Sequence, residues 1–318
     1  MARSRRLALI QLAVSAVALS AVVWWASRQS LPHLPSAHRA IPGIAAALGL
    51  YALASMLRGE RWMRLVRQGG MPCGRGDAYA LTTVGYMGNN ALPARAGDLL
   101  KSFLTARRAG APQADVLGVL VAERLLDVAA LGLLFAGLVT TLSLPVGVPG
   151  WMLAVVGAVV LAVAAAALLA TRHSARGARV RGLARVLLAP TRRLWSRQGA
   201  ALLGTSVAVW LVEGSVYAVL GPVAGVHLSL LDGLYIMALA NLVALVPAAP
   251  GYVGTFDAAV ILGLGLVASA SHPQQLGYVL LVRFVLFVPI TLVGLVALVV
   301  RYGGLRQALS MRARLASP

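Results

Sequence analysis

Six stretches of nearly unbroken apolar residues, 7–26, 41–57, 116–142, 151–171, 200–222 and 275–300, limit what this chain can fold into more than any other feature. Each approaches or exceeds the roughly 20 residues that an α-helix needs to cross a hydrocarbon core of about 30 Å. The charged fraction agrees: it is 12% of 318 residues, against about 25% in a soluble domain. So little polar material cannot coat a water-facing surface, and the mean hydropathy is +0.83. The expected fold class is an all-α polytopic membrane protein.

A net charge of +19 first suggests an anionic partner such as nucleic acid. The basic residues, however, sit between the apolar runs. Arg3, Arg5 and Arg6 open the chain, Arg58, Arg61, Arg64, Arg67 and Arg75 follow the second run in an expected cytoplasmic loop, 58–76, and a long arginine block fills 172–198. Clusters flanking membrane spans are what the positive-inside rule predicts, and they attract anionic headgroups. No basic stripe is interleaved with base-stacking aromatics, so nucleic acid is not an expected partner. Cys73 is the single cysteine, the five histidines fall in loops or near span ends, and no HExxH spacing occurs. No metal, cofactor or enzymatic constellation is therefore expected. The basic, apolar N-terminus looks like a signal peptide, but a run of about 20 residues ending at Trp24-Trp25 fits an uncleaved span with an interfacial anchor better.

With the basic N-terminus in the cytoplasm, alternate runs carry the chain out and in, and both termini end inside. Two segments do not fit as simple crossings. Residues 77–108 are flanked on both sides by basic residues, and residues 231–270 on neither side. Each is broken near its middle, by NNALPARAG and PAAPGYVG respectively, so each is expected to be a re-entrant helical hairpin. Irregular backbone at membrane depth is tolerated where protein or a water-filled cavity covers it. One integral membrane domain, 1–318, then contains six spans and two hairpins. Repeat one (about 41–142) and repeat two (about 200–300) run the same three elements in opposite orientation, joined across the cytoplasmic loop 172–198. Inverted repeats with interrupted helices point to a binding site near the midplane.

Several charges lie inside the expected spans. Glu123 and Asp127 are i, i+4 on one helix face, with Arg124 i, i+3 to Asp127, while Glu213 and Arg283 interrupt two other spans, and Arg283 is expected to act as one charge-coupled unit with Glu123, Arg124 and Asp127. Such charges cost a few kcal/mol each and face a bundle interior or a polar cavity. They serve either as mutual neutralisation that locks helices together or as the wall of a substrate path. In the first hairpin, Asn89 and Asn90 either cap a helix, with Pro93 starting the next, or face a ligand. In the second, Gly251 and Gly254 either permit close helix packing or shape a cradle. Arg95 and Asp98 beside the first break, with an exposed half-helix N-terminus, suit an anionic headgroup.

The segments GNNALPARAGDLLKSFLTARR, ADVLGVLVAERLLDVAAL and VPAAPGYVGTFD together resemble the flippase-like transmembrane domain of lysylphosphatidylglycerol synthases and of stand-alone bacterial and archaeal membrane proteins. The matching positions are Asn89 or Asn90; Pro93, Arg95, Gly97 and Asp98; Glu123, Arg124 and Asp127; and Pro250, Gly251, Gly254 and Asp257. Asp98 stands where glutamate is frequent, and Lys101 where arginine is. The resemblance implies a cytoplasmic-membrane protein that moves a lipid with a polar or anionic headgroup, either an aminoacyl phospholipid or a polyprenyl-phosphate-linked sugar. The expected contact residues are Asn89, Asn90, Arg95, Asp98, Glu123, Arg124, Asp127, Glu213, Asn241, Asp257 and Arg283. The expected structural turns are Pro93, Gly97, Pro250, Gly251 and Gly254. Membrane lipids are the expected partners, and a lipid-modifying enzyme is a further one. No Walker A motif is present to supply energy, and a stand-alone member without the soluble transferase domain is expected. The alternative is a non-transporting scaffold or regulator of a lipid-modifying enzyme or glycosyltransferase.

Overall fold

A computed structural model of the chain describes residues 37–92, 95–142, 191, 194–244 and 250–303. The expected spans 7–26 and 151–171, the turn 143–150, most of the basic block 172–198, Pro93 and the stretch 245–249 lie outside the described residues. Among the described residues the fold is entirely helical. In chain order the helices are α1 (Ala37–Gln68), α2 (Arg75–Ala91), α3 (Ala96–Ala109) and α4 (Gln113–Thr141). They continue with α5 (Arg197–Val223), α6 (Leu230–Val243), a 3-10 turn (Pro250–Tyr252), α7 (Thr255–Val267) and α8 (His272–Tyr302).

Three of these are long and apolar enough to cross a bilayer: Ala40–Gln68, Arg197–Val223 and His272–Tyr302. Helix α4, with 29 residues, is of similar length, but its middle carries Glu123, Arg124 and Asp127. Polar positions mark the helix starts as well. Ser229 and Asp232 form a capping box at α6, and Asp257 accepts the Gly254 amide at 2.9 Å at α7.

The expected cytoplasmic loop 58–76 needs correcting. Helix α1 runs on through Gln68, so Arg58, Arg61, Arg64 and Arg67 are helical. Arg58 and Arg61 are buried, not spread over a membrane surface. Trp62, Met63, Leu65 and Val66, buried on the same stretch, explain why: the apolar face of the helix continues past the point where charges begin.

Both expected hairpins are helix–break–helix units. In the first, α2 and α3 pack so closely that a Cβ added to Gly97 would lie 2.1 Å from the Gly85 carbonyl oxygen, and one at Gly88 2.5 Å from Gly97 Cα. Only glycine allows that crossing. In the second, α6 and α7 are separated by a break in which Gly251 has φ 64° and Gly254 φ 86°. Glycine adopts these values without strain. Its expected turn role therefore has a backbone reason.

The packing pairs come in matched sets. Helix α1 lies along α5; α2 packs on α8 as α6 packs on α4; α1 meets α2 as α5 meets α6; α3 meets α4 as α7 meets α8. The largest apolar core, with Tyr217, Leu220, Ile236, Met237, Val260 and Val282 at its centre, binds the second half to α1 and α4. A smaller core around Trp62, Val66 and Val119 holds the base of the first half.

Candidate functional site

Where the two breaks approach each other, a cavity of about 90 Å³ opens. The first hairpin contributes Tyr86, Asn89, Asn90 and Arg95 to its lining. Asn241, Ala244, Tyr252 and Phe256 come from the second hairpin, Tyr51 and Arg58 from α1, and Arg124, Asp127 and Leu131 from α4. Trp210 and Glu213 on α5 and Leu286 and Phe287 on α8 complete the wall. Seven of the expected contact residues thus share one surface: Asn89, Asn90, Arg95, Arg124, Asp127, Glu213 and Asn241. Asp98, Glu123 and Arg283 do not line it but contact residues that do, and Asp257 in turn holds Arg283.

Behind the cavity lie two ionic clusters. Arg61 Nη1 donates to Asp127 Oδ1 at 2.6 Å and to Ser206 Oγ at 2.7 Å, and its Nη2 is 3.5 Å from Glu123. Lys101 Nζ reaches both oxygens of Glu123 at 3.0 Å and rests 3.5 Å from the centroid of the Trp62 ring. Arg124 links Asp127 (3.1 Å) to Asp98 (3.0 Å). Arg58 donates to Glu213 Oε2, while Asn241 donates to Glu213 Oε1 at 3.2 Å. The larger cluster joins α1, α3, α4 and, through Ser206, α5, and the smaller one, Arg58–Glu213–Asn241, joins α1, α5 and α6. Their charges are almost fully compensated, which is what desolvated ions require.

Compensation is not complete. Five cationic side chains, Arg58, Arg61, Arg95, Lys101 and Arg124, face four carboxylates, Asp98, Glu123, Asp127 and Glu213. Arg95 carries the surplus most loosely, since its Nε is 3.8 Å from Asp98. The backbone at Arg95 is left-handed, with φ 55°, as is that of Tyr252, also at φ 55°. These are the two non-glycine residues with positive φ among the described residues, and they meet across the breaks: the Arg95 guanidinium lies 5.8 Å from the Tyr252 ring centroid. Strained backbone of this kind collects where a structure holds a group for a purpose.

The asparagines divide in role. Asn89 Nδ2 donates to Asp98 Oδ1 at 3.1 Å, and its Oδ1 accepts the Asp98 amide at 3.1 Å. It caps α3 from across the hairpin, so the capping alternative holds for this residue. Asn90 Nδ2 donates to Thr291 Oγ1 at 2.9 Å and ties the break to α8.

Arg283 corrects another expectation. Rather than joining the Glu123–Asp127 group, it pairs with Asp257, also donates to the Gly251 carbonyl at 3.1 Å, and lies between the Phe256 and Phe287 rings. The pairing repeats one in the other half. Arg124 follows Gln113 by eleven residues and binds Asp98 in the first turn of α3; Arg283 follows His272 by eleven and binds Asp257 in the first turn of α7.

Sequence reasoning missed Arg58 and Arg61, and it missed the aromatic wall of Tyr51, Tyr86, Trp210, Tyr252, Phe256 and Phe287. Charge balance was the available signal for the arginines. Glu123, Asp127 and Glu213 outnumber Arg124 within the spans, once Asp257 claims Arg283. Of the expected turn residues, Pro93 lies outside the described residues, as does the side chain of Pro250.

Residues 8–294 match the family described as Lysylphosphatidylglycerol synthase TM region. No curated protein matches the chain.

Proposed function

Because this chain belongs to the lysylphosphatidylglycerol synthase TM region family, we propose that it is a lipid translocator of the cytoplasmic membrane, which passes a polar headgroup through the cavity between its two broken hairpins. One observation carries the reading: the polar cavity adjoins an apolar groove through a shared residue, Tyr51. That groove, about 340 Å³, runs between α1, α2 and α8 and is lined by Leu48, Met56, Thr83, Ile290 and Val293 among others. Met56 and Val293 are more than half exposed, so the groove opens on the surface that lipid would cover. A headgroup in the cavity and a hydrocarbon chain in the groove match the two ends of one amphiphile. Neither a purely structural ion lattice nor a soluble-substrate site accounts for both.

The hairpins act as re-entrant elements within a six-span inverted repeat, with α2–α3 entering from the cytoplasmic side and α6–α7 from outside. The matched packing pairs and the repeated Asp–Arg pairing support that architecture. Arg95, Arg124 and Arg58 meet the headgroup, with the Asn89–Asp98 and Asp257–Arg283 units holding each break in shape. The substrate is an amphiphile whose headgroup accepts hydrogen bonds, and a gradient or a partner supplies the energy. The protein performs no covalent chemistry of its own.

The experiment is a headgroup-accessibility assay in proteoliposomes, run across a panel of phospholipids and polyprenyl phosphates. Protein-dependent exposure of one lipid class, lost on Arg95→Ala, supports translocation. Binding without movement for every lipid would assign the chain to the scaffold or regulator class instead.

A further inference from the structure

We infer that the cavity takes a phosphate-bearing headgroup of net negative charge and rejects a cationic, aminoacylated one; this rests on reading the cavity as a headgroup site. The carboxylates are spoken for. Of the two that line the cavity, Asp127 has Oδ1 on Arg61 (2.6 Å) and Oδ2 on Arg124 (3.1 Å). Glu213 has Oε2 on Arg58 and Oε1 on Asn241 (3.2 Å). A lysyl ammonium brings three donors and no acceptor. To bind here it must displace an arginine from a buried carboxylate, and it raises an already positive charge balance.

The unpartnered atoms in the same wall are donors. Arg58 is 2% exposed and its Nη1 has no hydrogen-bond partner; Trp210 is 6% exposed and its indole Nε1 has none. The Arg58 guanidinium lies 5.1 Å from the Trp210 ring centroid, so the two orphan donors belong to one corner of the cavity. Arg95 and Arg124, also in the wall, each leave a buried Nε without a hydrogen bond. Buried donors left unmade are costly, and an ionised phosphate supplies acceptors only. Five cations against four carboxylates leave the charge that such an anion would neutralise. The Tyr51 junction with the apolar groove points to a lipid as the source of the phosphate.

The test measures binding of phosphatidylglycerol, lysyl-phosphatidylglycerol, phosphatidylcholine and inorganic phosphate to the purified full chain. Native mass spectrometry and Trp fluorescence read it out at physiological and high salt. Phosphatidylglycerol should bind about tenfold or more tightly than the lysyl lipid, the difference that one unfavourable charge contact of about 1.4 kcal/mol produces. The chain is basic throughout, so bulk attraction to anionic lipid needs its own control. Trp210→Phe keeps an aromatic ring but removes the N–H donor with the rest of the pyrrole portion, and Arg95→Gln removes the surplus charge from a partly exposed side chain. Arg95→Gln should keep the wild-type thermal transition, Trp210→Phe should stay folded with a lowered one, and both should shrink the preference.

Equal or tighter binding of the lysyl lipid would overturn the inference, as would a preference that both variants leave intact. Inorganic phosphate binding as tightly as phosphatidylglycerol would overturn the lipid source and translocation together. Movement of the lysyl lipid as fast as phosphatidylglycerol would overturn charge selection and leave translocation standing. Selective anionic binding without movement would support charge selection while translocation fails.

Discussion

Glu213→Gln is the substitution that separates an ionic lattice required for folding from a cavity wall that merely contains charges. Glutamine keeps the shape and can still accept from Asn241, but it removes the negative charge facing Arg58. Both partners are buried, and Arg58 bridges α1 to α5, the helices that lie along each other at the centre of the fold. At an effective dielectric near 20, two unit charges about 4 Å apart attract by roughly 4 kcal/mol. Breaking such a buried pair from one side costs about 3–5 kcal/mol, because the remaining ion stays desolvated and unpaired. Arg58→Met should cost a similar amount. The double variant should cost less than the sum by about 2 kcal/mol or more, within the range of direct contacts. Equilibrium unfolding by SDS titration in mixed micelles, followed by near-UV circular dichroism, gives all three values. Strictly additive losses would refute the pairing.

Other predictions follow from different parts of the fold. Arg95→Lys keeps the charge but loses the planar fork, and should abolish most lipid movement while the thermal transition stays within a few degrees; full activity in both Arg95→Lys and Arg95→Ala would remove Arg95 from the site. Gly97→Ala inserts a methyl group 2.1 Å from the Gly85 carbonyl oxygen and should cost about 1–3 kcal/mol or more by forcing α2 and α3 apart; a wild-type unfolding curve contradicts that crossing. Cysteines at Gly74 and Ala109 should label only from the cytoplasmic side, and at Ser229 and Ser271 only from outside, with labelling of one hairpin's two ends from opposite faces ruling out re-entry. The native Cys73, in the loop before α2, should label slowly at neutral pH and faster as pH rises, because burial and then the Asp77 charge push its thiol above the usual range; a flat pH profile contradicts that environment.

The sequence was most legible where backbone needs are absolute. The clusters at 89–98 and 250–257 break helices because proline, glycine and asparagine stop an apolar helix, and both breaks are present around Arg95 and Tyr252. The Glu123–Arg124–Asp127 arrangement was legible for the same reason: helical spacing alone puts Arg124 within reach of Asp127. Long-range partners were not. Arg58 and Arg61 follow an apolar run and so resemble ordinary membrane-flanking charge; only the docking of α1 against α4 and α5 gives them Glu123, Asp127 and Glu213. Lys101 stood out only as a departure from arginine, and its seat against Trp62 depends on α3 meeting α1. The choice of Arg283 between two acidic groups likewise depends on how α7 meets α8. Local pattern carries helix and break; pairing across elements requires the third dimension.

The most direct measurement is the rate at which reconstituted full chain exposes a headgroup-labelled phosphatidylglycerol to a membrane-impermeant quencher. Wild-type protein should accelerate exposure in proportion to protein per vesicle, and Arg95→Lys, folded and equally incorporated, should bring the rate most of the way back to that of protein-free vesicles. A rate independent of protein, for phosphatidylglycerol and for every other lipid and polyprenyl phosphate tried, would contradict translocation.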